Sequence, residues 1–470
     1  MGGPKTRVSQ ETFDAAVKEN EDEFGMEPEE AMQSAVEEFK LQGVDLSNIA
    51  TSQKGGKQSI NAIRKAVECL KAASSAAGTP SDLLSSLATL EERLHEVLPE
   101  SLPPVLEAAA QADAVAMLLT CCTAAEDNLD ITSRSLHVLR LLLAVDSSKA
   151  AFMRADGASK LAALLTQQSS SAQLIEDVAL VAEAAAKKHE DNKCSLVDSG
   201  CASQLVEGLR TEEVAASSSA VQAVCACLKS LTTADDPKPA ASRAFQNSRS
   251  LAQQGAALLL LSILKRGDLT DPATVAAVCG AVKKLAANED ICKDLADEGA
   301  VQATMQVLAS GLANATLVRS ACSLLRQLAN SDAIKADIVD AGGLELLCRA
   351  VEAHTPHAGA MEQALGLLVA LTLRNPKAAT RAVEVGCVDT VLEVMKVCQT
   401  GVHGKLGQWV QRQACMSIRN IVARNPELRP VVLDKGAEPL LRSAKQMFAQ
   451  SCGDVGSAAL RDLDIQDYNT

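Results

Sequence analysis

EDICKDLADEGAVQATMQVLAS (residues 289–310), followed by TLVRSACSLLRQLAN (residues 316–330), decides the fold. The first run reads as a short helix, a break at Gly299 and a middle helix. The second reads as a longer helix in which Val318, Cys322, Leu325 and Leu328 recur at helical spacing and form one apolar stripe. A glycine between the first two lets them meet at a sharp angle where a Cβ would obstruct the turn. The same pattern returns at Gly157, Gly200, Gly255, Gly299, Gly342, Gly386 and Gly436, spaced 43, 55, 44, 43, 44 and 50 residues apart. A helical pattern with a period in the low forties is the mark of an α-solenoid, whose units cannot bury their apolar faces alone and so cover one another.

Composition agrees with that reading. Apolar residues make up 47% of the 470, mostly Ala and Leu, and only 2% are aromatic, so helices are favoured over strands. Of the net charge of −14, a balance of −10 falls between Glu11 and Glu38, which leaves the array close to neutral and without a general nucleic-acid footprint. No apolar run approaches a membrane span or a secretory signal, and MGGPKT only nominally fits the myristoylation pattern. The 15 cysteines are scattered through helical stretches with no Cys-x-x-Cys pair, the pattern of small buried thiols in a reducing compartment. Cytosol is expected, with the nucleus open.

The expected organisation is an acidic helical segment over 1–50, a flexible linker over 51–59, a helical region over 60–103 that could cap the array, and the solenoid over 104–470. Helices are expected at 60–77 and 81–98, the second capped by Ser81. The long intervals hold two insertions, around residues 232–239 and at the glycine-rich, mobile stretch 399–408, and Ala459–Leu463 reads as the long helix of a truncated last unit.

Ser417-Ile-Arg-Asn-Ile-Val422 with Gly436, and more loosely Ala281-Val-Lys-Lys-Leu-Ala286 with Gly299, resemble the armadillo-repeat family over residues 104–470. The stretches Gln10–Val17 and Gly43–Ile49 are similar to the N-terminal segment of one member. The resemblance implies an all-α, right-handed armadillo solenoid of three-helix repeats with an N-terminal helical extension, and a concave face lined by the long helices. An Asn there binds the backbone of an extended peptide in the family. Here that position reads Leu141, Ala184 or Ala185, Ser230, Lys284, Gln327, Ala370, Asn420 and Asp462, so only Asn420 fits. Trp409 falls outside the register of the Trp that accompanies this Asn in nuclear-import receptors, and recognition of basic targeting peptides does not follow.

The preceding position reads Arg140, Glu183, Lys229, Lys283, Arg326, Val369, Arg419 and Arg461. Stacked units would align these side chains in a row, roughly 10 Å apart. Six cations in such a row favour an acidic, extended protein partner, with Lys284, Gln327 and Asn420 as neighbouring polar contacts. The plainer reading is a solvated basic position. The acidic segment 11–38 is an intramolecular candidate for the same groove, against the simpler role of an end cap. No phosphate-binding glycine loop and no His-Glu-x-x-His occurs, and His354 with His357 supplies too few ligands for a metal site. The expectation is a non-catalytic adaptor without cofactor or metal. The alternatives are a spacer that binds through its ends or loops, and a regulatory or exchange factor for a small GTPase.

Overall fold

Each turn between the first and middle helices of a unit needs one residue with left-handed backbone, and in the computed structural model those residues count the units. They are Asp113, Asp156, Gly200, Gly255, Gly299, Gly342, Gly386 and Gly436, with φ between 52° and 88°. The structure describes residues 8–22, 24, 26, 28–44, 46, 53–74, 79–97, 99–124, 128–167, 171–237, 242–267 and 269–469. These hold 29 α-helices, three short 3-10 turns and no strand.

Gly157, read above as a corner, is not one. Asp156 (φ 52°) makes the turn, since Asp tolerates this conformation better than most side chains. Gly157 serves packing instead, because an added Cβ would stand under 3.0 Å from three ring atoms of Phe152. The last unit is also complete rather than truncated, ending in the helix Ala449–Asp462.

Four helices precede the repeats: α1 (Gln10–Asp22), α2 (Pro28–Leu41), α3 (Gln53–Ala73) and α4 (Pro80–His95). α1 and α2 close on one another around Phe13, Val17, Ala31, Met32 and Ala35, with Phe39 against Phe13. Residues 53–59, expected to be linker, are the first turns of α3, while 51 and 52 lie outside the described residues. Thr79, not Ser81, caps α4 through a reciprocal bond with Asp82.

The chain divides into two compact units, residues 1–208 with 234–242, and residues 209–233 with 243–470. In the second, the long helices Ser218–Leu231, Pro272–Leu285, Ala315–Leu328, Ala358–Thr372, Gly407–Val422 and Ala449–Asp462 pack in series. Each is apolar on the sides it turns to its neighbours. Ala315–Leu328 buries Val318, Ala321, Cys322, Leu324, Leu325 and Leu328. Asn314 caps its first turn, its side chain accepting from Thr316 N and Leu317 N.

Lysines of the first helices satisfy carbonyls at the ends of the next long helix, which have no partner within that helix. Lys149 Nζ donates to Lys187 O at 2.8 Å, and Lys335 Nζ to Leu373 O at 3.4 Å. The residues after those carbonyls, Lys188 and Arg374, are also left-handed, with φ of 57° and 54°, without being glycine. The bond and the turn occur together in both places.

Neither insertion hangs loose where it is described. In the first unit Asp235 receives the Lys193 ammonium and the Lys188 amide, and Asp236 accepts from Glu190 N at 2.8 Å. In the second, the stretch 399–408, expected to be mobile, folds over His403, whose Nδ1 lies 2.9 Å from Cys398 Sγ and whose Nε2 lies 2.6 Å from Thr355 O.

The thiols follow the packing. Cys69 is exposed, Cys194 is half-buried and the other thirteen are buried. Burial pushes Cys201, Cys225, Cys279 and Cys322 up to about 12, away from the reactive thiolate. Alkylation of the native protein should therefore modify Cys69 first and Cys194 more slowly. Peptide mass mapping that finds the buried thirteen labelled at the same rate would contradict this packing.

Candidate protein-binding surface

A helix carries one face to its neighbours and leaves the residues between them for solvent or ligand. On Pro272–Leu285, Lys283 and Lys284 occupy that margin, both half-buried, and on Ala315–Leu328 exposed Arg326 does so. Lys283 Nζ donates to Ser323 Oγ at 2.6 Å on the following long helix. Arg319, two turns before Arg326, joins the same neighbourhood. Burial, then Arg326, Lys284 and Arg319, hold the Lys283 ammonium below the ordinary lysine range, while Glu362 pulls the other way less strongly. The side chains of Lys229, Lys284, Arg319 and Arg326 make no hydrogen bond or ion pair among the described residues.

At the C-terminal end of the row two arginines share one carboxylate. Arg419 Nε lies 3.2 Å from Asp462 Oδ2, while Arg461 Nε and Nη2 lie 3.1 and 3.0 Å from Asp462 Oδ1. One carboxylate thus holds both arginines and offsets half of their charge. The neighbouring amides are also engaged, Gln327 Nε2 donating to Ala286 O at 2.7 Å and Asn420 Nδ2 to Val369 O at 3.0 Å. A cleft of about 240 Å³ beside Arg374, Arg419, Asn420 and Arg424 extends the basic character there. Arg140 stands in the first unit, half-buried and without an ion pair, while nearby Arg134 and His137 face Glu91 at 3.7 and 3.4 Å.

The row read from sequence therefore separates, in the second unit, into a stretch without ion pairs (Lys229, Lys283, Arg326) and a stretch paired with Asp462 (Arg419, Arg461), while Arg140 belongs to the first unit. Arg319 and Glu362 were not singled out by sequence. Their signal is the spacing, since each lies seven residues before a row position, Arg326 or Val369, on the same helix face.

The depressed lysine has a consequence for stability. A lysine whose folded value lies below its ordinary 10.5 weakens the fold while it is charged, and the penalty fades as pH rises through the folded value toward 10.5. Lys283→Met is expected to raise the melting temperature at neutral pH, by roughly 1 °C, with the gain vanishing toward the ordinary lysine value. A drop at neutral pH in melts across that range would count against the crowding of these cations.

No cluster of three or more His, Cys, Asp or Glu side chains suited to a metal exists among the described residues. His354 Nε2 is spent on Leu312 O at 2.7 Å. No single helix there is long and apolar enough to cross a membrane.

Three-helix units turning on a left-handed corner, with long helices packed in series, give the chain an α-solenoid fold of the armadillo type. A crystal structure of an engineered protein matches 96% of this chain and 98% of its own with a TM-score of 0.70 at 17% identity. A chain from work on a phosphorylation switch controlling the interaction between cadherin and beta-catenin matches 88% of this chain and 79% of its own, with a TM-score of 0.61 at 18% identity. Residues 5–75 match the family described as the Armadillo repeat-containing protein 6 N-terminal domain. The chain is similar to Armadillo repeat-containing protein 6 of Homo sapiens, 31% identical over 321 residues, a stretch that covers 64% of this chain and 60% of that protein's length.

Proposed function

We propose that this protein is a non-catalytic adaptor that holds an acidic, extended protein segment against the long helices of its second unit. The observation that carries this reading is the cluster of Lys229, Lys283, Lys284, Arg319 and Arg326, in which the pull of Glu362 on Lys283 is smaller than the push of the neighbouring cations. Crowded cations without counter-ions cost stability, and such a cost is characteristic of binding surfaces. An acidic segment would relieve it. A structural neighbour from work on the interaction between cadherin and beta-catenin supports protein binding on this fold. The thiol-rich interior suits the cytosol or the nucleus.

The experiment is a titration of the full chain with a fluorescein-labelled, glutamate-rich peptide, at low and at physiological salt, followed by charge reversal of the cluster. Binding that is absent at both salts, or that survives the reversal, would sink the proposal.

One observation favours a second reading, attachment through a loop. Val402, Leu406 and Trp409 are exposed together around the fastened stretch 399–408, an apolar surface on an ordered turn. Crosslinks to a captured partner confined to this stretch would favour a spacer that binds there. Exchange activity on a small GTPase has no residue here to support it.

A further inference from the structure

The cation row is broken at Val369, which is buried. The gap has a neighbour. Gly366 lies three residues before Val369, on the same face of the helix Ala358–Thr372. A Cβ built there would stand 2.5 Å from Arg326 Nη1, 3.0 Å from Cζ and 3.2 Å from Nε. All three are guanidinium atoms, so the group lies across the bare backbone of the following helix.

We infer that Gly366 is a positioning residue for the binding surface: its missing side chain is the seat that lets Arg326 reach across the gap at Val369. This inference rests on the proposed acidic-segment reading. Gly366 sits in the interior of a 15-residue helix between Leu365 and Leu367, where alanine would be the more stable choice. Its φ is not positive, so backbone conformation does not demand glycine. What demands it is the close approach of the arginine.

The corresponding residues of the preceding units sharpen the point. Ser323, three residues before Arg326, accepts the hydrogen bond of Lys283. Gly280, three residues before Lys283, lies under the Lys229 stem, with the nearest atoms 3.7 and 3.8 Å from an added Cβ. Gly359 similarly faces Arg319 at 3.6 and 3.8 Å. Those are ordinary contacts that an alanine accommodates. Of these three glycines, Gly366 alone would force the neighbouring cation to move.

The atoms in the way belong to the tip of a flexible, exposed side chain, so a methyl group at 366 displaces the guanidinium without disturbing the core. Stability and binding should therefore change in opposite directions. In the full chain, Gly366→Ala should keep or raise the melting temperature and weaken the glutamate-rich peptide about fivefold, as expected for an exposed charge contact. Gly280→Ala should bind as the wild type does. Arg326→Ala should show the same loss as Gly366→Ala, and the double variant should lose no more than either, because both changes remove one contact.

The outcomes separate the two levels. If Gly366→Ala binds as tightly as the wild type while Arg326→Ala is weakened, the seat is wrong and the binding surface stands. A fall in melting temperature alongside the loss of binding would mark Gly366 as structural and also overturn the seat. If the wild type fails to bind the peptide, or Arg326→Ala is without effect, the binding surface itself fails.

Discussion

Replacing Lys283, Arg319 and Arg326 together by Glu is expected to remove measurable binding of the glutamate-rich peptide while leaving the helical signal unchanged. An exposed pair contributes roughly 0.2–1 kcal/mol, and reversal turns each attraction into a repulsion. Across three positions that amounts to about 3 kcal/mol, more than a hundredfold in affinity. The fold should tolerate the change, since the three cations repel one another and gain Lys229 and Lys284 as partners once reversed. Arg419 is left out deliberately. Asp462 holds it at 3.2 Å, and a glutamate there would place two carboxylates together and confuse lost folding with lost binding. Anisotropy titrations beside circular dichroism melts give the answer. Wild-type binding should also weaken from low to physiological salt, because these charges are partly exposed and screened.

The largest effect on stability is expected at Lys193. Its side chain is fully buried, 3.7 Å from Glu190 and bonded to Asp235 of the insertion. Truncation to Ala would withdraw the ammonium that bridges the carboxylate of Glu190, itself 8% exposed, and that of Asp235. Removing one member of a buried ion pair costs about 3–5 kcal/mol, because the remaining charge stays desolvated. Lys193→Ala should therefore lower the melting temperature of the first unit and open residues 234–237 to proteolysis. Lys193→Met tests the cause: it restores volume without charge, and should recover little while the carboxylates remain. If it melts like the wild type, packing rather than charge holds this insertion.

The helical fold was legible because Gly200, Gly255, Gly299, Gly342, Gly386 and Gly436 adopt a conformation that few other residues adopt cheaply. Asp113 and Asp156 make the same corner with a residue common anywhere on a surface, so nothing marked them. Gly157 was misassigned because it adjoins a corner and serves a different end. Gly342 and Gly343 show both roles side by side. The first turns the chain at φ 79°, while the second gives way to Ile338 O, 2.6 Å from where a Cβ would stand.

The basic row was legible for a related reason: fixed register on stacked helices aligns equivalent residues. Its electrostatic state was not. Whether Arg419 is free depends on Asp462 in the next unit, 43 residues away, and the anchoring of the insertion depends on Lys193, 42 residues before Asp235. Such pairings belong to the packed molecule, and a period read along the chain carries no sign of them. The glycine-rich stretch 399–408 misled in the opposite sense, since His403 fastens it by contacts to Cys398 and Thr355 that composition does not reveal.

The near-absence of aromatic residues also decides how the protein can be watched. It has one Trp and one Tyr, and Trp409 and Tyr468 both belong to the second unit. Intrinsic emission is therefore a local probe by accident of composition, blind to anything that happens in the first 208 residues. Followed together, emission and far-ultraviolet dichroism would resolve whether the two parts lose order in one step or in sequence, with no dye attached.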